Sequence, residues 1–419
     1  MKFSNIFKRS LYILLFIQIA AVQNFIYPVT KNTNSAKDKV AELTESIDAV
    51  VNSVPGTVSI QVVSADKYDL IYEHNSQLEM IPASITKLVT SAVAFDMLGV
   101  NYDFKTIVYT DDINISDGVI DGNLYLKGYG DPDLNSLDIT YLAEVIKSKG
   151  IIQITGNVVY DESYLDDEHY ALADYYQGDT KRNYWPYVSG LNFNKNSKNF
   201  DPALMAGTVL FDELVASSVL IDGIVVAGIT PSASKEIAVV SHSIFDVLAH
   251  MNKESDNHSA ITVFKVIGAK FSTPPGSVSK GESAVVEFLT SIGNQRNRFE
   301  ILEGSGLTRF NKVNSDMYIR LLKYMYDDTK SFDYFYSTLP IAGKDGTLRN
   351  RMIGTEAENN VHAKTGTLNS VSALSGYAVS RDSELLIFYI VMNGFGGGAN
   401  EVRYKQDQIC ELLCQFSRK

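Results

Sequence analysis

Ser84 and Lys87 stand three residues apart in Ile81-Pro82-Ala83-Ser84-Ile85-Thr86-Lys87-Leu88-Val89, and side chains at that spacing on a helix share one face and can meet. A hydroxyl is unreactive at neutral pH until a base lies within hydrogen-bond reach, so the pair has the makings of an activated nucleophile. Pro82 suits a first helical position, and backbone N–H groups at a helix start favour the anion that develops during attack. With Leu88, Val89, Ala92 and Val93 behind it, the stretch predicts the first turns of a buried helix. Ser-x-x-Lys also occurs at Ser64–Lys67, Ser232–Lys235 and Ser277–Lys280. Those three lie in polar or Pro/Gly-containing stretches and read as turns with no apolar helical run behind them.

Two further short motifs carry chemistry. Ser255-Asp256-Asn257 follows the apolar Val247-Leu248-Ala249 and precedes another helical run, which predicts a loop between two helices. A serine there can pass a proton to a leaving amine, and an asparagine offers a donor and an acceptor to an amide. Lys364-Thr365-Gly366-Thr367 reads as the start of an edge strand. Gly366 permits close approach of a substrate backbone, Lys364 brings a positive charge beside the nucleophile, and the threonine hydroxyls can bind a carboxylate. The N–H groups of Ser84 and Thr367 can pair as an oxyanion hole. Gly304-Ser305-Gly306 lacks the Gly-x-Ser-x-Gly spacing of a hydrolase elbow, so Ser305 is expected to be structural and near the site. None of the six histidines stands in a His-Glu-x-x-His arrangement, so no metal or other cofactor is expected. His258 and His362, beside the second and third motifs, read as packed or solvent-exposed groups.

The elements that must hold these motifs follow from periodicity. Asn32 to Lys39 reads as a polar linker and Val40 to Val51 as a helix, followed by strands Thr57 to Val63 and Leu70 to Glu73 with a turn at Ala65-Asp66-Lys67. From Tyr102 to Val240 many short strands alternate with Gly and Asp turns, as at residues 123–127, 156–160 and 223–227. One helix is expected there near Tyr141 to Ser148, with a tight turn at Gly128 to Leu134 and no repeat of fixed period. Helical periodicity returns at Ile244 to Lys253 and beyond Ser255 to Ile267, and again at Ser315 to Tyr326. Strands at Ala373 to Val379 and Leu385 to Met392, a hairpin loop at Gly394 to Gly398 and a helix from Glu401 to Phe416 complete the chain.

With 419 residues, 45% hydrophobic and 21% charged, the chain can form two or three globular domains. A formal charge of −12 with no Lys/Arg-rich patch argues against nucleic acid as a partner. Lys2, Lys8 and Arg9 followed by the apolar Leu11 to Val22 read as an export signal over residues 1–22, with an uncleaved anchor as the alternative. Either places the body outside the cytoplasm, and the expectation is periplasmic. Cys410 and Cys414, one helical turn apart, read as two small packing residues.

Ser-x-x-Lys, Ser-x-Asn and Lys-Thr-Gly in this chain order form a signature known in class A β-lactamases and penicillin-binding proteins. The sequence resembles the D-alanyl-D-alanine carboxypeptidase/endopeptidases of the penicillin-binding protein 4 type, the low-molecular-mass class C group. Gly128 to Leu134, Tyr184 to Leu191, Gly304 to Asn311, Gly343 to Leu348 and Ser375 to Ala378 extend the resemblance. It implies an α+β fold, with a transpeptidase-like domain (antiparallel sheet, flanking helices, helical subdomain) from 36–101 and 241–419 and an inserted β-rich region at 102–240. It also implies hydrolysis of D-Ala-D-Ala bonds in peptidoglycan stem peptides through an acyl-enzyme on Ser84, with β-lactams as covalent inhibitors. Lys87 would take the serine proton and Ser255 would relay one to the departing D-alanine. Asn257 would hold the substrate amide, and Lys364, Thr365, Gly366 and Thr367 would bind substrate. The alternatives are a β-lactamase, against which the absence of Glu-x-x-Leu-Asn between Asn257 and Lys364 counts, and a non-catalytic wall-binding protein.

Overall fold

The computed structural model describes residues 34–172, 184–196 and 201–419; the expected signal at 1–22 lies outside the described residues. Helix α1 (Asn34–Val51) begins inside the stretch read as a linker. The hairpin β1 (Thr57–Ser64) and β2 (Leu70–His74) follows, and after a single 3-10 turn at Ala83–Ile85 comes α2 (Thr86–Leu98). The next region contains β3 (Asp103–Thr110), β4 (Val119–Ile120), β5 (Leu124–Gly128), α3 (Ser136–Ser148), β6 (Gln153–Ile154) and β7 (Val158–Asp161). It continues through α4 (Pro202–Ala216), β8 (Leu220–Ile221), β9 (Val225–Ala227) and β10 (Lys235–Ser243). Four helices come next: α5 (Ile244–Lys253), α6 (Asn257–Phe271), α7 (Val278–Ser291) and α8 (Ser315–Asp327). The chain closes with α9 (Phe332–Thr338), β11 (Val361–Leu368), β12 (Val371–Val379), β13 (Leu385–Asn393) and α10 (Ala399–Gln415).

The main sheet has the order β11-β12-β13-β1-β2 and is antiparallel throughout. Successive side chains of a strand point to opposite faces, and here both faces are covered. Val63, Ala373, Tyr377, Ile387, Tyr389 and Val391 pack toward α2, α5, α6, α7 and α8. Val62, Leu374, Ala378, Phe388, Ile390 and Met392 pack toward α1 and α10. This two-sided burial is why β12 and β13 read as almost unbroken apolar runs. Every residue of α2 from Thr86 to Phe95 is buried, as befits a helix enclosed by other elements.

The region between α2 and α5 has a core of its own, in which α3 and α4 cover strands β3, β5 and β7. Strands β3 and β10 pair antiparallel, Asp103 opposite Ser243, so the entry and exit of the region lie side by side. Strands β5, β7 and β9 pair in parallel, as do β4, β6 and β8. The arrangement is a stack of like units without a fixed period in sequence. A Gly heads each unit (Gly122, Gly156, Gly223), followed by Asn in the first two, and these are turn residues in the stack: Gly156 N donates to Gly122 O (2.9 Å). Asn157 N donates to Asn123 Oδ1 (2.8 Å), and Ile224 N to Asn157 Oδ1 (2.9 Å).

Four expectations are corrected. The linker reading fails because α1 extends back to Asn34. Ser277 is no isolated turn residue: its hydroxyl accepts from Lys280 N and caps α7, which buries Val278, Ala284, Val285, Phe288 and Leu289. The region after Tyr102 holds a second helix, α4, which Asp201 caps ahead of Pro202 at the first position. The glycine tract at 394–398 joins a strand to a helix and is not a hairpin loop, because β13 pairs with β12 and β1 and the chain then enters α10.

A Cβ at position 156 would lie 2.5 Å from Gly122 O and 2.6 Å from Asn123 Oδ1. Gly156→Ala is expected to lower unfolding free energy by about 1–3 kcal/mol through overpacking of this ladder. Urea unfolding checks this, and an unchanged midpoint contradicts the close-packed stack.

Candidate active site

The position of Ser84 is set by backbone rather than by a regular helix start. Pro82 does not occupy a first α-helical position: it precedes the 3-10 turn that holds Ser84, and α2 begins at Thr86. Ala83 has φ +49°, a left-handed conformation that costs an L-residue about 1–2 kcal/mol. Two glycines clamp the turn. A Cβ on Gly306, itself at φ +78°, would overlap the Ala83 carbonyl oxygen. A Cβ on Gly366 would lie 2.7 Å from Pro82 O and 3.0 Å from Ser84 N. Gly366 therefore lets β11 lie against the serine's own turn, a constraint internal to the protein that the expected substrate approach did not include. Thr86 Oγ1 donates to Ala83 O (2.8 Å) and helps hold the turn.

Lys87 is fully buried, and its Nζ lies 3.1 Å from Ser84 Oγ, 2.7 Å from Asn257 Oδ1 and 2.7 Å from Ser305 O. These are neutral oxygens, and among the described residues no carboxylate forms an ion pair with the amine. A neutral amine has two N–H donors and one lone pair, so it can donate to Asn257 and Ser305 and accept from Ser84. Burial pulls its pKa down from 10.5 to about 8, against the smaller opposing pull of Glu303 and Asp256. Lys364 is buried to the same degree; its Nζ donates to Ser255 Oγ (2.8 Å) and Thr365 O (2.8 Å). Burial, and then repulsion from Lys87, hold its pKa well below the usual lysine value. A third fully buried lysine, Lys265, is different: it lies 2.5 Å from the Asp166 carboxylate.

Ser255 sits between α5 and α6 at φ +57°. Asp256 caps α6 by accepting from His258 N (3.1 Å) and Ser259 N (3.1 Å), which places Asn257 in the first turn beside Lys87. The Asn257 carbonyl is taken by the lysine, so its NH2 is the end left for a ligand. The sheet order makes β11 an edge strand, as expected. Thr365 Oγ1 donates to Thr347 Oγ1 (2.8 Å), and Arg403 of α10 donates to Thr367 Oγ1 (3.0 Å). A cleft of about 640 Å³ is lined by Ser84, Ser255, Thr365, Gly366 and Thr367, together with Arg351 and Arg403. All eight residues singled out in the three motifs thus converge on one groove or on the buried amines beneath it.

Two contributors carried no sequence signal of their own. Glu303, fully buried, accepts from Ser305 N (2.6 Å) and Ser305 Oγ (2.5 Å) and so holds the carbonyl that receives Lys87. Arg403 is the other, while Gly306 belongs to the Gly304-Ser305-Gly306 run already noted, although its pressure on the Ser84 turn was not foreseen. His258 lies behind the cleft, buried against Asn192 (3.2 Å), with its pKa pushed down to about 4 by burial. His362 stacks on Tyr336 with ring centroids 4.0 Å apart. Cys410 and Cys414 are buried thiols packed with the other core residues of α10. Among the described residues no cluster of His, Cys, Asp and Glu could hold a metal ion.

A model of the D-Ala-D-Ala carboxypeptidase 3 (S13) family matches residues 39–200 and 196–416. The D-alanyl-D-alanine carboxypeptidase of Actinomadura sp. (strain R39) is 27% identical over 468 residues, covering 90% of this chain and 86% of that protein. The crystal structure of penicillin binding protein 4 (dacB) from Haemophilus influenzae superposes with a TM-score of 0.75 at 22% identity, covering 87% of this chain and 97% of that one. Its complex with a novel β-lactam gives a TM-score of 0.69 at 23% identity, covering 87% and 98%. These structural likenesses establish the α+β fold.

With the Lys87 pKa near 8, its basic form grows as pH rises, so acylation of Ser84 by an added acylating reagent is expected to climb with pH and level off above about 8–9. Glu303 favours the charged amine. Glu303→Gln is therefore expected to move the profile to lower pH; a shift to higher pH contradicts the assigned electrostatics.

Proposed function

The chain belongs to the D-Ala-D-Ala carboxypeptidase 3 (S13) family of hydrolases, and from that premise we propose that it cleaves D-Ala-D-Ala peptide bonds of peptidoglycan stem peptides through an acyl-enzyme on Ser84. The observation that carries the reading is the Lys87 amine, fully buried 3.1 Å from Ser84 Oγ and, among the described residues, in no ion pair. Ser84 Oγ attacks the carbonyl carbon of the penultimate D-alanine while its proton passes to Lys87 Nζ. The oxyanion lies between the N–H groups of Ser84 and Thr367. As the C–N bond breaks, a proton reaches the leaving amine through Ser255, whose hydroxyl is held by Lys364 (2.8 Å). The free D-alanine departs, and water adds to the ester carbon to return Ser84 and release the shortened peptide.

The terminal carboxylate of the substrate is received by the hydroxyls of Thr365 and Thr367, with the Arg403 guanidinium behind Thr367. The Asn257 NH2 meets a backbone carbonyl of the peptide. A β-lactam offers the same carbonyl and carboxylate but keeps its leaving group tethered, so it stalls as the ester; the Haemophilus influenzae protein described above has been solved with such a compound. Both pentapeptide ends and cross-linked peptides are candidate substrates. The wall polymer lies outside the cytoplasmic membrane, which accords with the export segment read at residues 1–22 and a periplasmic site of action.

Intact-mass measurement after incubation with benzylpenicillin is expected to give one covalent adduct on the native protein and none on Ser84→Ala. Lys87→Met is expected to slow acylation by about 10²–10⁴-fold, the usual worth of a positioned base. Labelling that survives Ser84→Ala overturns the assignment.

A further inference from the structure

A second cavity, of about 860 Å³, lies at the end of α2 remote from the serine. The 13-residue helix puts it about 20 Å from Ser84, at 1.5 Å of rise per residue. We propose that this cavity binds the glycan strand of the cell wall, a chain of uncharged N-acetylated sugars, while the catalytic groove works on the peptides attached to it. The inference rests on the peptidoglycan reading above.

The lining supports that class of ligand. Tyr102, Tyr129, Tyr164 and Tyr324 present half-buried rings to the space, and Lys105 and Lys330 stand exposed at its edge. The rings are fixed before any ligand arrives. Tyr129 and Tyr164 pack edge to face at 5.2 Å, and Tyr102 packs on Phe104 at 5.0 Å. Tyr324 donates its hydroxyl to Asp96 Oδ1 (2.5 Å), and Tyr129 shares a hydrogen bond with Tyr109 (2.9 Å). Preset aromatic platforms lower the ordering cost of binding. Among the described residues neither lysine ammonium has a partner, so both can donate to a ligand's carbonyl groups. Asp96, Asp103 and Asp328 offset the two lysines. That excess of carboxylates disfavours a polyanion, and five charged groups disfavour a purely apolar guest. What fits is a ligand with C–H faces for the rings, hydroxyls for the carboxylates and acetamido oxygens for the ammonium groups. The volume is within the range of about 300–1,000 Å³ usual for small-ligand sites.

The test uses the full ectodomain and peptide-free glycan strands prepared from peptidoglycan, followed by titration calorimetry. Native protein and Ser84→Ala are expected to bind the strands alike. Tyr164→Ala and the surface variant Lys105→Ala are expected to bind them at least fivefold more weakly and to raise KM on intact wall by a similar factor. Their kcat/KM on a soluble pentapeptide and their penicillin labelling stay native, which also reports that they are folded. Unchanged glycan affinity in both variants overturns the proposal, as does preferential binding of an anionic wall polymer. Loss of penicillin labelling in the native protein would instead strike the catalytic reading, and glycan binding by Ser84→Ala is read independently of it.

Discussion

Two lysine amines, Lys87 and Lys364, are taken out of water, and among the described residues neither forms an ion pair with a carboxylate; at Lys87 the pull of Glu303 and Asp256 is smaller than the effect of burial. An isolated ammonium in such a place is costly, and the group relieves the cost by giving up its proton. The site is arranged so that the neutral form is well served. Lys87 meets three neutral oxygens, and Lys364 meets a hydroxyl and a carbonyl. Lys265, equally buried but set against Asp166, is what a structural lysine in the same fold looks like. The contrast between the three lies in their partners and not in their burial.

Holding those amines requires segments far apart in the chain to meet within hydrogen-bond distance, and the closest approaches are made by backbone. Gly306 and Gly366 press on the two sides of the Ser84 turn, while Ala83 and Ser255 take left-handed conformations whose cost the surrounding packing must offset. The region between α2 and α5 also reaches the site. Lys195 pairs with Asp133 and lies 3.5 Å from Asp256, the residue that caps α6. Ser259 Oγ donates to the same Asp256 carboxylate (2.6 Å). The stacked region thus helps hold the turn that aims Ser255 and Asn257.

The three motifs were legible because each is a contiguous run whose residue types carry the chemistry: Ser84 with Lys87, Ser255 with Asn257, Lys364 through Thr367. The main sheet and most of its helices were legible from periodicity, but α7, behind the stretch at Ser277 read as a turn, and the short α9 were not. Ser305 lies beside the site as its Gly-Ser-Gly run led one to expect, but it contributes through a carbonyl, which every residue has, so its contact with Lys87 was not legible, and Glu303, acting on it from two positions away, did not stand out. Arg403 is one polar residue on an amphipathic terminal helix until the fold brings it to Thr367. Strands β4, β6 and β8 have two residues each, too short for any alternation to show. Helix α4 did have a readable start in Asp201-Pro202, but its apolar residues fell in a region whose short strands dominated the pattern.

Activation of Ser84 turns on the protonation of Lys87, and NMR titration of labelled lysine amines, with the resonance assigned by Lys87→Met, measures it directly. A midpoint near 8 is the expected result. A midpoint at or above the ordinary lysine value of 10.5 would leave Ser84 without a base and contradict the account.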